Sequence, residues 1–193
     1  DYEALRIIKK IQAHHENCFN EIVYSRNPYG FSSTAKVFKK KEENFITIMT
    51  SKGDFYVPHK DVKSNKETIE RWKVVMSKAS AEHAGQVDKD GRRKIVSRTE
   101  ILPPNKICSE SYLLIDVFQT KREAENLLSY IKTRFFRYLL STILLTQNIS
   151  KDKFQFVPLQ DFSHPWSDEM LYKKYGLDEK EIAFIESMIR PME

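Results

Sequence analysis

The sequence predicts an α+β fold in which a twisted, mostly antiparallel sheet packs against one long helix, with short terminal helices. Residues 112–118 form an apolar run of strand length that contains one polar residue, Asp116, which is typical of a central, buried strand. From residue 124 to residue 143, apolar side chains recur at steps of three and four, which is typical of an amphipathic helix of about twenty residues. Because this strand and this helix are adjacent in the sequence, we expect the remaining elements to pack around them.

Capping boxes, in which a polar N-cap residue is followed three positions later by glutamate, predict where three helices begin. They are formed by Ser64 with Glu67, Thr120 with Glu123, and Asp178 with Glu181. The first box predicts a short helix that ends near Trp72, the second opens the long helix, and the third opens the last helix of the chain. Ser167 and Gly176 bound a further short helix, and the apolar spacing of residues 2–15 predicts an amphipathic helix at the start.

Alternating apolar residues and turn signals predict the other strands. Residues 45–49 and 55–57 are separated by a polar turn that contains Gly53, a pattern typical of a β-hairpin in which glycine supplies a positive φ. Residues 73–77 and 95–102 have the composition of two further strands.

The composition indicates a soluble domain with a substantial core. The chain has 193 residues, of which 40% are apolar and 12% aromatic, and it contains no apolar run near the roughly 20 residues of a membrane span. The two cysteines, Cys18 and Cys108, lack Cys-x-x-Cys spacing, so we expect buried thiols, a reducing cytoplasmic setting and no membrane partner. The chain begins at Asp1 within a helical pattern, without an initiator methionine or a signal peptide, and we therefore expect a piece of a longer protein.

Positive charge is concentrated in residues 1–160. The segment 161–193 holds four basic and eight acidic residues, a net charge of −4, whereas residues 1–160 hold 28 basic and 19 acidic residues, a net charge of +9. Clustered basic residues are typical of nucleic-acid binding, although many basic domains are only soluble. We therefore expect a basic α+β domain that can bind nucleic acid in residues 1–160, followed by an acidic helical tail in 161–193 that packs on this domain or on another part of the parent protein.

Two polar segments supply the candidate DNA contacts. A run of four lysines precedes the predicted hairpin, and such lysines either contact phosphates or lie on a solvated edge. The segment from residue 78 to residue 98 has the composition of an exposed loop, with small residues, side chains that suit base edges, and arginines that suit phosphate or guanine. A plain surface loop is the alternative for this segment. The candidates are Lys36, Lys39, Lys40, Lys41, Ser80, His83, Gln86, Arg92, Arg93, Lys94 and Arg98.

The sequence offers no catalytic or metal-binding residue. Residues 27–30, with the sequence NPYG, are similar to the motif with which amino-methyltransferases hold a flipped base, but one proline is missing and no glycine-rich adenosylmethionine loop precedes them. We therefore interpret them as a structural turn. The pair His14 and His15 lacks the i, i+4 spacing of a zinc-binding helix.

Several blocks of the sequence resemble a known group of enzymes. Residues 154–192, FQFVPLQDFSHPWSDEMLYKKYGLDEKEIAFIESMIRPM, closely resemble the C-terminal end of adenine-specific DNA methyltransferases of prokaryotic restriction-modification systems, whose methylase and specificity regions can share a chain with a nuclease. The further similar blocks are residues 25–31 SRNPYGF, 80–86 SAEHAGQ, 108–112 CSESY, 124–126 AEN and 130–136 YIKTRFF. The resemblance covers most of the chain from about Tyr24.

This resemblance implies that residues 1–160 are a target-recognition domain that reads double-stranded DNA for a methyltransferase core in the same chain. The acidic tail, residues 161–193, would then pack on this domain or on the parent enzyme. The fragment itself would bind rather than catalyse and would need no cofactor. Its parent would use adenosylmethionine, and also magnesium if it carried a restriction endonuclease.

Two alternative functions remain open at this point. A nuclease-associated fragment needs carboxylates and a lysine converging on a strand edge, but Glu70 with Lys73, and Asp116 with Lys121 and Glu123, lack the usual order. A structural or protein-docking domain of the same enzyme would use the long helix and the acidic tail to bind a neighbour.

Overall fold

The computed structural model describes residues 1–81 and 88–193, and it confirms the α+β class. The helices in these ranges are α1 Tyr2–Gln12, α2 Lys121–Lys132, α3 Arg134–Ser141, α4 Asp168–Lys174 and α5 Glu179–Met188. The strands are β1 Phe45–Thr50, β2 Gly53–Pro58, β3 Trp72–Ser77, β4 Thr99–Leu102, β5 Lys106–Cys108 and β6 Tyr112–Phe118. Within the described ranges, no helix combines the length and the apolar character needed to cross a membrane.

The first sheet is the predicted hairpin with one added strand. β1 and β2 pair antiparallel, from Phe45 opposite Pro58 to Thr50 opposite Gly53. Gly53 has a φ of 114°, a conformation that other residues rarely adopt, so the predicted role of glycine in this turn is confirmed. β5 pairs in parallel with the other edge of β1, which gives the order β2-β1-β5.

The second sheet has the order β4-β3-β6, and both of its strand pairs are antiparallel. β3 is therefore the central strand, and the prediction that residues 112–118 occupy the centre is wrong. The outer edge of β6 is partly covered, because the amide of Tyr24 donates to the carbonyl of Leu114 at 3.0 Å. β4 is shorter than predicted, since Ile95 has a φ of 70° and regular pairing begins only at Thr99.

The second sheet is buried on both faces, which explains the uninterrupted apolar run in β6. Leu113 and Ile115 belong to a core shared with the helices, whereas Leu114 belongs to a second core shared with the first sheet. Neighbouring residues of β3 divide in the same way, with Val74 in the first core and Val75 in the second. Successive side chains of a strand point to opposite faces, so this sheet separates the two cores.

The predicted long helix is interrupted at Thr133, so the prediction of one continuous helix is wrong. Thr133 has a ψ of 150°, which ends α2 and begins α3. Its hydroxyl donates to the carbonyl of Tyr130 at 2.7 Å and accepts from the amide of Phe136 at 3.1 Å. The side chain of Asp168 accepts from the amides of Arg134 and Phe135 at 3.1 and 2.9 Å. Four helix-end groups therefore have partners at the break, although the apolar spacing continues across it.

The short helix predicted after Ser64 is reduced to a single 3-10 turn, Lys66–Thr68. The Ser64 hydroxyl donates to the carbonyl of Pro28 at 2.7 Å instead of capping a helix. Asn65, with a φ of 55°, occupies the N-cap position. The capping box is absent here because a distant carbonyl competes for the same hydroxyl.

The segment 161–193 packs against α1 through ion pairs and a shared core. Arg6 Nη2 lies 2.8 Å from Asp178 Oδ2, and Lys10 Nζ lies 2.6 Å from Glu181 Oε2. Glu181 is 0% exposed, and the Asp178–Glu181 capping box opens α5 as predicted. Beside these pairs, Ile185 belongs to the same apolar core as the buried residues of α1.

Replacement of Thr133 by alanine should lower the free energy of unfolding by about 1 to 2 kcal/mol, because the amide of Phe136 loses its capping acceptor. Thr133→Ser keeps the hydroxyl and serves as the control, with a smaller expected loss. Urea denaturation followed by circular dichroism measures both. Equal stability of Thr133→Ala and the unaltered protein would show that the cap does not stabilise the break.

Candidate nucleic-acid interface

The four predicted lysines lie along the edge of the first sheet. The amide of Phe38 donates to the carbonyl of Tyr56 at 2.9 Å, and the amide of Tyr56 donates back to Phe38 at 2.9 Å. This exchange extends the sheet beyond β2 and fixes the backbone that carries the lysines. The side chains of all four are exposed, and none forms an ion pair with a described residue: Lys36, Lys39, Lys40 and Lys41. The Lys36 ammonium lies 5.1 Å from the centre of the Phe38 ring.

Ser80 begins the candidate loop and is held by backbone contacts. Its amide donates to the carbonyl of Gln147 at 2.7 Å, and it forms an isolated β-bridge with Val96. Two other candidates, His83 and Gln86, lie outside the described residues.

Arg92, Arg93 and Lys94 take part in contacts within the molecule. Arg92 Nη2 lies 3.0 Å from Asp90 Oδ2. The Arg93 backbone donates to the carbonyl of Met188 at 2.8 Å and accepts from the amide of Arg190 at 3.1 Å, which attaches the loop to the end of α5. Lys94 Nζ donates to the carbonyl of Ser97 at 3.2 Å, and its own carbonyl accepts from Arg137 Nη1 at 3.1 Å.

Arg98 presents its guanidinium at the surface beside an aromatic ring. The side chain is 50% exposed, compared with 30% for Arg92. It lies 5.8 Å from the centre of the Tyr112 ring and 2.7 Å from Glu100. The Arg98 carbonyl accepts from the amide of Ser77 at 2.9 Å, so the end of β3 fixes its backbone.

A basic cleft that the sequence did not reveal lies beside the start of this loop. It has a volume of about 580 Å³ and brings together three basic residues, Arg26, Lys78 and Lys151. Polar and apolar residues complete its lining, namely Ser25, Leu113, Asn148, Ile149, Ser150 and Asp152. The three basic residues are far apart in the sequence, and only the position of Lys78 directly after the predicted strand 73–77 could have drawn attention to it.

The charges around Lys78 influence one another. Burial lowers the pKa of the Lys78 ammonium, and the positive charge of Arg26 lowers it further, whereas Glu110 opposes both effects. The amide of Ser33 donates to the Glu110 carboxylate at 3.0 Å and is the main cause of a lowered pKa at Glu110. Lys78 and Arg26 lower the pKa of Glu110 further. Two cations therefore lie close enough to repel each other at the cleft, with one carboxylate compensating part of their charge.

Residues 27–30 form the structural turn that their sequence predicts. The ring of Tyr29 is 0% exposed, and its hydroxyl shares a hydrogen bond of 2.7 Å with Thr68. The carbonyl of Pro28 accepts from Ser64 and from the side-chain amide of Asn65, at 2.7 and 2.6 Å. A base could not stack on a ring that is buried in this way.

Lys73, one residue of the nuclease alternative, is fully buried and surrounded by carbonyl groups. Its ammonium donates to the carbonyls of Ile69, Arg71 and Pro103 at 2.8, 2.7 and 3.2 Å. All three N–H groups therefore have backbone acceptors, and the lysine holds the start of β3 to the turn that precedes β5. Among the described residues, no group of three or more His, Cys, Asp and Glu side chains is placed to hold a metal ion.

No family model matches this sequence, and no curated protein matches it.

Asp116, the one polar residue within β6, allows a test of the cost of a buried charge. Burial raises its pKa from 3.8 to about 6, although the amide of Val117 donates to its carboxylate at 2.8 Å. The folded protein therefore holds the proton more tightly than the unfolded chain, and stability falls as the pH rises from about 4 to about 6.

Asp116→Asn should raise the free energy of unfolding at pH 7 by about 1 to 3 kcal/mol, because asparagine keeps the shape without the buried charge. The same variant should flatten the pH dependence between pH 4 and pH 6. Urea denaturation at both ends of this range measures the effect, with the exposed Asp61→Asn as the control. A lower stability of Asp116→Asn at pH 7 would show that the charged Asp116 carboxylate does not destabilise the folded protein.

Proposed function

We propose that this chain is the double-stranded DNA recognition module of an adenine-specific methyltransferase from a restriction-modification system. On this proposal, it positions the target site for a catalytic domain in the same parent enzyme. That domain uses adenosylmethionine, and magnesium if the parent also cleaves DNA. The resemblance of residues 154–192 and the basic surface of the fold support the proposal.

The proposal rests on a difference between two groups of charged residues. Some form ion pairs within the molecule, and others remain unpaired at the surface. Several carboxylates of the acidic tail have partners within the molecule, and two of them, Asp178 and Glu181, meet Arg6 and Lys10 of α1. Asp168 caps α3, and Glu186 lies 2.9 Å from Arg134. The lysines at the edge of the first sheet have no such partners among the described residues. The tail therefore pairs with Arg6, Lys10 and Arg134, whereas the four lysines at this edge keep their positive charge at the surface.

Two kinds of contact follow from this arrangement. Exposed lysines act as point charges for phosphates, which set the position of the protein on the duplex without reading its sequence. The loop between β3 and β4 reads bases, and Arg98 is its best-placed arginine because its side chain is half-exposed and its backbone is fixed. On binding, its guanidinium exchanges its contacts with Glu100 and Tyr112 for a base. A guanidinium can form two hydrogen bonds with the major-groove edge of guanine.

Lys39→Gln/Lys40→Gln should weaken binding to every duplex by a similar factor. Each lost phosphate contact lowers the slope of log affinity against log salt by about 0.9, so the double variant should lower it by up to about 2. The matched control, Lys173→Gln/Lys180→Gln, removes the same charge from exposed positions of the tail. Fluorescence anisotropy with a mixed-sequence duplex at two salt concentrations measures both variants.

The same titration of the unaltered protein with a mixed-sequence duplex tests the proposed function itself. Binding that weakens steeply with salt supports DNA recognition, and no binding at low salt would refute it for this chain. Equal losses in the sheet-edge variant and the tail control would exclude the sheet edge as the DNA-binding surface.

Arg98→Lys should relax sequence preference while leaving affinity for mixed-sequence DNA nearly unchanged. Lysine keeps the charge but lacks the paired donors that bind guanine, so binding to the preferred sequence should weaken by about 1 to 3 kcal/mol. Selection from a randomised duplex library, before and after the substitution, measures the preference. An unchanged selected sequence would show that Arg98 does not read a base.

A further inference from the structure

We propose that the cleft lined by Arg26, Lys78 and Lys151 binds one backbone phosphate of the DNA, together with the sugar attached to it. The identity of this ligand as DNA rests on the proposed function. The existence of a phosphate site does not, because it follows from the geometry and charge of the cleft itself.

Lys78 is held in place by backbone hydrogen bonds on both sides. Its amide donates to the carbonyl of Ser111 at 3.1 Å, and its carbonyl accepts from the amide of Ile149 at 2.7 Å. The first bond ties Lys78 to the turn before β6, and the second ties it to the segment that forms the opposite wall of the cleft. The backbone of Lys78 is thus fixed before any ligand arrives, so that only the side chain loses freedom on binding.

Arg26 lies between two anchored residues. On one side, the amide of Tyr24 donates to Leu114 of β6 at 3.0 Å. On the other side, Asn27 adopts a left-handed conformation with a φ of 54°, and the following Pro28 carbonyl is held by two side-chain donors. The backbone at Arg26 is therefore positioned, while its exposed side chain can adjust to a ligand.

Residues 148–152 form a further wall of the cleft. In this wall, the carboxylate of Asp152 already has partners. The Asp152 side chain accepts from the hydroxyl of Ser150 and lies 3.2 Å from Lys153 Nζ. These contacts compensate the negative charge of Asp152 locally. Lys151 is exposed beside them and adds a third cation to the cleft.

The electrostatics of the cleft favour an anion. Arg26 and Lys78 repel each other, and Lys78 is also partly buried, so the charged state of this pair is costly without a ligand. Glu110 compensates one charge of the three basic residues. A phosphate would relieve the repulsion, since arginine can bind two of its oxygens and lysine can contact a third.

The size and floor of the cleft suit more than a free phosphate ion. A volume of about 580 Å³ falls within the range of pockets that hold organic ligands. Leu113 and Ile149 supply apolar surface in the lining, and Ser25 and Asn148 supply polar groups. A sugar–phosphate unit of a nucleic-acid strand presents this combination of anionic, polar and apolar surface.

The cleft lies at the start of the candidate loop, so a phosphate bound there would influence how the loop meets DNA. The residues that follow Lys78 pair with the segment that leads into the cleft lining, since Ala79 makes an isolated β-bridge with Asn148 and the Ser80 amide donates to Gln147. A phosphate bound at Lys78 would therefore fix the register of the DNA directly at the start of the segment that reads bases.

The test uses two probes, inorganic phosphate and a mixed-sequence duplex, with Lys78→Gln, Arg26→Gln and the control Lys173→Gln/Lys180→Gln. Titration with phosphate, followed by backbone amide NMR, should shift the signals of Arg26, Lys78 and Ile149 in the unaltered protein and in the control. Either cleft substitution should weaken phosphate binding by about tenfold or more, as expected for loss of one charged contact. Each should also lower the salt slope for duplex binding by about one.

The two probes separate failure of the cleft from failure of the proposed function. Phosphate binding in the cleft without duplex binding would support the site and refute DNA recognition. Duplex binding that neither cleft substitution changes, or phosphate that does not shift the cleft signals, would overturn the site. Circular dichroism checks the fold of each variant, and Arg26→Gln, at an exposed side chain, supplies the result if Lys78→Gln is unfolded.

Discussion

The fold depends most on the junction at Thr133, where one fully buried arginine joins three parts of the chain. The Arg137 Nε–H donates to the carbonyls of Lys132 and Thr133, each at 3.2 Å, and Nη1 donates to the carbonyl of Lys94 at 3.1 Å. The first two bonds satisfy carbonyl groups at the end of α2, and the third attaches the far end of the candidate loop to α3. Asp168 adds the tail to the same junction by capping α3, and burial raises its pKa while the two amides lower it. Carbonyl groups that replace water, and the nearby carboxylate of Asp168, compensate this buried charge.

Compensation of buried charge by nearby partners also explains how an acidic tail can pack on a basic domain. Asp168 caps α3, Asp178 and Glu186 form ion pairs, and Glu181 is wholly buried between the cations of α1. The ion pairs with α1 join the first and last helices of the described chain and use positive charge on α1. The lysines of the first sheet lie elsewhere and keep their charge at the surface. The acidic segment of the sequence thus forms contacts within the molecule, while the lysines of the first sheet remain exposed.

Features that depend on neighbouring residues could be predicted from the sequence, and features that depend on distant partners could not. The capping boxes at Thr120 and Asp178 form as predicted because all of their donors and acceptors are local. The box at Ser64 has the same pattern, but its hydroxyl binds the carbonyl of Pro28, 36 residues away. The break at Thr133 was hidden for a similar reason, because apolar spacing continues across it and the capping group of Asp168 comes from a remote segment.

In the candidate site too, contacts between distant residues could not be predicted from the sequence. These contacts hold both ends of the candidate loop. Sequence alone found exposed lysines and a polar loop, but it could not show that Arg93 and Lys94 would attach that loop to α5 and α3. At its other end, the loop is held by the bonds of Lys78 and Ser80 to residues 147–149, which also form a wall of the basic cleft. Both ends of the loop are therefore attached to the rest of the fold through hydrogen bonds to their backbone groups. On the proposed function, an arginine that remains exposed on such a frame can discriminate between bases, because little conformational freedom is lost when it binds.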